Sequence, residues 1–295
     1  MALTINTNIS SLVAQNNLSK ATTSLNKAIE RMTTGYKINH AGDNAAGYSI
    51  ARNWETQLGS LDVAADNAAM GADMMSTLED HYSLISSHLQ RVRDLTEQAA
   101  NGTYGSASLS AIKSEITARL EEVDRISKNC EYNGRHLMTG EINSAINLQV
   151  GLYSSDDSKI ALSADLFKKA EVGELFKKYS DGNGATSDDT LDTVEEVATN
   201  CTGASASAML NKIDNVIKEI SNRTTTLGAA QNRIDSAIES IGVQSENITS
   251  SLSTLRDADI SKESSNYIKA QILQQAAATL LSTANQTPSI ALNLL

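Results

Sequence analysis

Ile213, Ile220, Leu227, Ile234, Ile241, Ile248 and Leu255 recur every seven residues without a miss. An apolar row sustained over that length predicts one continuous helix with a single buried seam, as in a coiled coil. At 1.5 Å per residue the row runs about 65 Å, too long for a small globule. The companion seam positions, four residues further on, are Ile217, Thr224, Gln231, Ile238, Ser245 and Leu252. Half of them are polar, so the expected setting is a bundle rather than a dry two-stranded zipper.

Shorter rows repeat the theme. Leu78, Tyr82, Ile85, Leu89, Val92, Leu95 and Ala99 follow steps of three and four, and Leu109, Ile112, Ile116, Leu120, Val123 and Ile126 mark a second amphipathic helix. The turn-rich NGTYGS at 101–106 between them predicts a helical hairpin. Both extremities carry a seam that alternates small and large residues. Near the start it is Ala14, Leu18, Ala21, Leu25, Ala28 and Met32; near the finish it is Ala270, Leu273, Ala277, Leu280 and Ala284. Neither stripe can be buried by its own helix, and alanine permits close approach, so the first and last helices are expected to pair. The period changes only at 146–166. There Ile146, Leu148 and Val150 alternate, SSDDS intervenes, and Ile160 and Leu162 alternate again, which predicts a β-hairpin. Residues 167–205 read as a polar insert whose one regular element lies near Leu191–Val197. The expected fold is therefore mainly α: a long antiparallel helical bundle or coiled coil, a small β-hairpin, and paired terminal helices.

Composition narrows the class. Of 295 residues only two are Phe and one is Trp, so the aromatic anchors of an ordinary enzyme core are scarce. Pro288 is the single proline, which leaves the rest of the chain free to be helical. A net charge of −11 opposes a nucleic-acid surface. No stretch approaches the roughly 18 apolar residues of a membrane span. The opening MALTINTNISSLVAQNNLSK lacks the basic segment, apolar run and cleavage site of a secretory leader. The protein is expected either to stay in the cytoplasm or to leave by a route that removes no such leader. The last 24 residues, ILQQAAATLLSTANQTPSIALNLL, carry no charged side chain and call for a partner.

Chemistry is sparse. His81 and His88 are seven apart, whereas zinc-binding pairs on a helix sit four apart. DGNGATSDDTLD at 181–192 lacks the glycine at position six and the glutamate at position twelve of a calcium loop. AGDNAAG at 41–47 lacks the Lys-Ser/Thr ending of a phosphate loop and is expected to link the terminal helix to the core. No nucleophile–base constellation appears, so neither an enzyme nor a cofactor is expected. Cys130 and Cys201 flank the helix at 109–127, whose length of about 28 Å exceeds disulfide reach, so two free thiols are expected.

Several stretches together resemble bacterial flagellin. They are INTNISSLVAQNNLSKATTSLNKAIERMTTGYKINHAGDNAAGYSIA at 5–51, LQRVRDLTEQAANGT at 89–103, EITARLEEVDRIS at 115–127, YNGRHLM at 132–138 and INLQVG at 146–151. LGAAQNRIDSAI at 227–238, RDADI at 256–260 and KAQILQQAAATLLSTANQTPSIALNLL at 269–295 complete the set, in the family's order. The resemblance implies a structural subunit, exported unfolded by the flagellar type III apparatus, that polymerises at the distal tip into a hollow filament for motility. It implies terminal helices that are disordered in the free subunit and pair in the filament's inner tube. The implied division is an inner-tube helix at 1–40, a helical core with hairpin at 41–165, a short outer insert at 166–205, a core helix at 206–255 and a second inner-tube helix at 256–295. The implied partners are further copies of the chain, the flagellar cap and hook-junction proteins, an export chaperone at the C-terminal helix, and Toll-like receptor 5; neither nucleic acid nor membrane is among them. Carried over residue by residue, the receptor surface falls on Gln90, Arg91, Leu95 and Glu115, with Asp94 standing where the family commonly has glutamate. A hook–filament junction protein, which shares the terminal helices, is the alternative.

Overall fold

The computed structural model describes residues 8–177, 193–202 and 205–292, with backbone alone over 287–292. It is built from long helices: α1 (Ile9–Thr34), α2 (Ala45–Ala100), α3 (Ser106–Asn129), α6 (Ala206–Arg256) and α7 (Ile260–Leu292). Two short helices, α4 (Val172–Lys177) and α5 (Val194–Asn200), and four short strands complete it. The strands are β1 (Glu131–Tyr132), β2 (Arg135–His136), β3 (Ile146–Gln149) and β4 (Lys159–Leu162). The chain forms two compact units, one of residues 60–244 and one of residues 1–59 with 245–295.

The central unit follows the predicted rows closely. Leu78, Tyr82, Ile85, Leu89, Val92, Leu95 and Ala99 of α2 are all buried, as are Ile116, Leu120, Val123 and Ile126 of α3. The turn at 101–105 returns the chain, and Arg91 of α2 reaches Glu115 of α3, so the two helices run antiparallel. β3 and β4 pair antiparallel with Ile146 opposite Leu162 and Leu148 opposite Ile160. The hairpin seats against α2 at Gly71, where a Cβ would collide with the side chain of Leu148.

Two expectations change here. On α6 the seven-residue row is right: Ile213, Ile220, Leu227, Ile234 and Ile241 are buried. Its buried companions, however, lie three residues on, at Val216 and Arg223, with Ala230 and Ala237 partly buried in the same register. Ile217 and Ile238, four residues on, are only partly covered, and Gln231 reaches out to Glu79 at 2.8 Å. The predicted polar seam is therefore the edge of a wider apolar stripe, because α6 is covered by more than one neighbour.

The second change concerns 166–205. Residues 178–192, including Leu191, lie outside the described residues, but the flanking parts are core. Leu166, Phe167, Ala170, Val172, Leu175 and Phe176 are buried, as are Val197, Ala198 and Cys201 of α5. Both phenylalanines of the chain fill this core rather than an outer polar knob. Tyr82 donates its hydroxyl to the Leu166 carbonyl at 3.1 Å, and burial pushes its pKa up. α5 starts at a capping box: Glu196 N–H donates to Thr193 Oγ1, and the Glu196 carboxylate accepts from Thr193 N–H.

In the terminal unit α1 and α7 pack together and antiparallel, as expected for the two ends. Asn8 Nδ2 donates to the Ala284 carbonyl at 2.7 Å, Ser11 Oγ to Asn285 Oδ1 at 2.7 Å, and Gln274 Nε2 to Thr22 Oγ1 at 3.1 Å. Arg31 Nη1 meets Glu263 Oε1 at 3.2 Å.

Candidate functional site

The α1/α7 pair is one candidate surface. On α1, Ala14, Ala21 and Ala28 are buried against α7, and Leu18, Leu25 and Met32 are half-buried between them. On α7, Ala270 and Ala277 are buried and Ala284 is half-buried. Leu273 and Leu280 are not in the seam. They are 51% and 63% exposed. The half-buried positions are instead Tyr267, Gln274 and Leu281, reached by a step of four from the preceding seam residue. Gln274 is drawn inward by its bond to Thr22, and the displaced leucines edge a groove of about 580 Å³ floored by Ala14, Ala21 and Ala277. Ile268 and Ile272 on α7, and Ile9, Leu12 and Val13 on α1, add to the exposed apolar surface of the pair.

At one end of the pair the chain is clasped. α1 stops at Gly35, whose φ of 74° is the left-handed region that favours glycine, with its N–H donating to the Arg31 carbonyl at 2.9 Å. The next residue, Tyr36, forms an antiparallel bridge with Asp257 between α6 and α7. Lys37 N–H donates to the Arg256 carbonyl at 2.7 Å, and Ala258 N–H to the Gly35 carbonyl at 2.8 Å. The Arg256 guanidinium lies 4.1 Å from the centre of the Tyr36 ring and pairs with Glu55 of α2. Asp259 starts α7, accepting at Oδ1 from Ser261 and Lys262 N–H at 2.9 and 3.1 Å. Asp43 meets Lys27 at 2.6 Å and also accepts from Asn39 and His40 N–H. The Lys27 ammonium, helped by those N–H donors, holds the Asp43 carboxyl down to about 2. The stretch 41–47, expected as a linker, is thus a turn that opens α2, with Asn44 Oδ1 accepting from Gly47 N–H at 3.0 Å.

The second candidate surface lies on α2 and α3. Arg91 Nε and Nη2 both donate to Glu115 Oε1, at 3.0 and 2.9 Å, and nearly half of each side chain stays exposed. Gln90 is exposed one position earlier. Leu95 corrects the expectation: it is 2% exposed and packs in the core, because it continues the Leu89–Val92 row rather than the Arg91 face. Arg93 turns the other way, to Asp214 of α6 at 2.6 Å.

Cys130 and Cys201 are free and buried, and burial pushes both thiols up to about 11, so both are protonated and inert. Cys201 contacts Thr96 near the end of α2, while Cys130 follows the far end of α3. Among the described residues no group of His, Cys, Asp or Glu is arranged to hold a metal, and no helix is long and apolar enough to cross a membrane.

The bacterial flagellin N-terminal helical region matches residues 5–143, and the C-terminal helical region matches residues 210–295. The chain belongs to the bacterial flagellin family. It is 33% identical over 304 aligned residues to a flagellin of Bacillus subtilis (strain 168), with 99% of both chains covered. It is 29% identical over 377 aligned residues to polar flagellin F of Vibrio parahaemolyticus, with both chains covered throughout. A solved structure described as a flagellar hook-associated protein from Vibrio parahaemolyticus superposes with a TM-score of 0.59 at 15% identity, over 73% of this chain and all of that one. That likeness shows a shared fold. Membership of the flagellin family makes the chain a structural filament subunit and not an enzyme.

Three contacts of the fold have little or no signal in the sequence. The Tyr36–Glu55–Arg256 clasp joins residues from three separate segments of the chain. Glu263, 7% exposed, is buried in the α1/α7 seam against Arg31 and Asn266. Arg223, 8% exposed, fastens α6 to the core segment just before α4 through the Lys169 and Lys168 carbonyls at 3.0 and 3.4 Å, and pairs with Glu219 one turn back on α6 at 3.2 Å. The i,i+4 spacing of Glu219 and Arg223 was its only signal.

Proposed function

We propose that the α1/α7 pair is the surface through which one flagellin subunit joins the next, and that its seam and outer face act together. The seam is Ala14, Leu18, Ala21, Leu25, Ala28 and Met32 with Ala270, Ala277 and Ala284; Leu273 and Leu280 belong to the outer face. The observation that carries this is the exposure of those two leucines beside Ile268 and Ile272, on a helix pair whose fully buried apolar residues are all alanines. Alanine seams bury little area, and at about 25 cal/mol per Å² they offset little ordering entropy. Copies covering the outer leucines supply the missing burial. The terminal helices are then firmly ordered only within the filament, which suits export in an unfolded state through the flagellar type III route. The same uncovered face suits an export chaperone on α7 before assembly, and hook-junction and cap proteins at the two ends of a growing filament.

The test is polymerisation of purified subunit seeded with short filaments and imaged by electron microscopy. The full chain elongates the seeds; a chain lacking 270–295 leaves them at their starting length. Elongation by the truncated chain removes the α7 face from the mechanism. A junction protein predicts instead that seeds are capped and stop growing.

The pairing of Arg91 with Glu115 beside Gln90 supports a second role, as the surface engaged by Toll-like receptor 5, with Leu95 bracing the helix from beneath. A guanidinium already oriented by one carboxylate presents its remaining donors at low entropic cost. Monomeric protein on reporter cells is expected to signal, and Arg91→Ala to signal at least about tenfold more weakly, as for a loss of about 1.4 kcal/mol. Silence from the unmodified monomer ends this reading.

A further inference from the structure

Asn-Gly occurs at 101–102, 133–134 and 183–184, and the last pair lies outside the described residues. In such a pair the glycine has no Cβ to shield its peptide nitrogen, and the backbone turns with little steric resistance. The other two pairs both belong to the central unit, in turns of opposite character.

Asn133 and Gly134 are the tight turn between β1 and β2, with φ of 49° and 76°. The pairs Tyr132–Arg135 and Glu131–His136 grip it from both sides, and Leu137 N–H donates to the Cys130 carbonyl at 2.9 Å just beyond. Bringing the Gly134 nitrogen onto the Asn133 side chain means rotating the peptide between them, and that rotation opens the ladder. Asn101 lies instead in the exposed turn between α2 and α3. Its backbone carbonyl meets Tyr104 N–H at 3.5 Å, the outer limit of a hydrogen bond, so rotation there costs little. Its side-chain Oδ1 accepts from Thr103 N–H at 3.3 Å. The ring closed by that bond runs through the Gly102 nitrogen, which folds the side chain back over the Gly102 peptide.

We propose that Asn101 is a site of spontaneous covalent modification, where the folded chain turns an amide into a carboxylate, while Asn133 is protected. The Gly102 nitrogen gives up its proton to water or hydroxide and bonds to Cγ of Asn101. The carbonyl electron pair moves to Oδ1, where Thr103 N–H meets the developing charge. The pair returns as the bond from Cγ to the amide nitrogen breaks, and that nitrogen takes up a proton and leaves as ammonia. The product is a five-membered cyclic imide. Water opens it at either carbonyl to give aspartate or isoaspartate, so that amide and water become acid and ammonia. The new carboxylate stands one turn beyond Glu97, which Arg93 holds at 3.2 Å, and at the C-terminal end of α2. Like charge and the helix dipole both oppose it there. Isoaspartate also lengthens the backbone of the turn. The tip of the α2–α3 hairpin therefore changes its charge and its path as the molecule ages.

Peptide mapping by mass spectrometry reads the sites apart after the full-length protein has stood at neutral pH and body temperature. Trypsin places Asn101 in the peptide 94–113, Asn133 in 129–135 and Asn183 in 179–212. Asn101 is expected to convert at least about fivefold faster than Asn133 in the folded chain, because only the first is free to rotate. In concentrated urea, where neither turn survives, the two rates should come within about twofold of each other. Gly102→Ala adds a Cβ that meets nothing within 4 Å, so the fold is kept while the methyl shields the attacking nitrogen. It should slow conversion at Asn101 at least about tenfold and leave Asn133 as it was. An amide that stays intact at Asn101 in the folded chain but converts in urea overturns the proposal. So does Asn133 keeping pace with Asn101 in the folded chain, or a Gly102→Ala variant that converts as fast as the parent.

Discussion

The central unit and the terminal unit are both built from long helices, yet they hold together by different means. In the central unit Tyr82, Phe167, Phe176 and a full set of leucines and isoleucines are buried on several helices at once. In the terminal unit the fully covered apolar residues of the α1/α7 pair are alanines; Leu18, Leu25 and Leu281 are only half-buried, and Leu12, Leu273 and Leu280 are exposed. A buried leucine or phenylalanine contributes about 1.5–3 kcal/mol and an alanine far less, so the first unit is stable by itself and the second is left short. One chain thus carries a finished domain and an unfinished one. Under the assembly reading proposed above, the unfinished one is where copies join, because other molecules supply the burial it lacks.

Substitutions can break or sharpen that contrast. The largest effect is expected from Phe167→Ala, which opens a cavity in the central core and lowers its stability by about 3–5 kcal/mol. Chemical denaturation monitored by far-ultraviolet circular dichroism measures it; a loss below 1 kcal/mol would mean the core is looser than its burial implies. Arg223→Ala comes next, at about 3 kcal/mol, because it removes a buried guanidinium that pairs with Glu219 and takes the donor from the Lys168 and Lys169 carbonyls. Its signature is a lower denaturation midpoint with an unchanged slope. Leu280→Ser sharpens the contrast most. It is expected to change monomer stability by less than about 0.5 kcal/mol, the usual range for a surface site. It should also weaken the filament by about 1.5 kcal/mol per subunit, read as roughly a tenfold rise in the critical concentration for polymerisation.

The smallest effect is on pH. The Asp43 carboxyl is held at about 2, against an ordinary value of 3.8, chiefly by its bond to Lys27. A carboxylate depressed on folding stabilises the fold fully above its unfolded value. Its contribution is therefore complete above about pH 5 and fades as the pH falls through 4 toward 2. Asp43→Asn should flatten this part of the pH profile for amide exchange in α1 without changing it at pH 7 by more than the lost ion pair. An unchanged profile between pH 4 and 2 would show that Asp43 plays no part in the acid response.

What could be read from the sequence was periodicity. The row at 78–99, the row at 213–241, the hairpin at 146–162 and the pairing of the two ends all follow from spacing alone, and the structure has them. Spacing does not say on which side a row is widened. On α6 the stripe widens toward Val216 and Arg223, and on α7 toward Gln274 and Leu281, in each case the opposite side from the one inferred. That choice depends on where neighbouring helices lie, which no single helix encodes. The segment around Phe167 and Phe176 hides its core character for another reason. Each phenylalanine follows a leucine and precedes lysines, so windowed averages look polar although the chain's two phenylalanines both sit there. Leu95 was drawn to the receptor surface by resemblance, while its own spacing from Leu89 and Val92 already placed it inside. The clasp at Tyr36, Glu55 and Arg256 draws on three distant segments and became visible only in the fold.

The central claim is that the terminal helices α1 and α7 are firmly held only among other copies of the chain. Amide hydrogen exchange, followed by mass spectrometry on lone monomer and on seeded filaments, tests it most directly. Fast exchange over 9–20 and 274–286 in the monomer, becoming slow in the filament, is the predicted result. Slow exchange along the whole of both helices in a solitary monomer would contradict it.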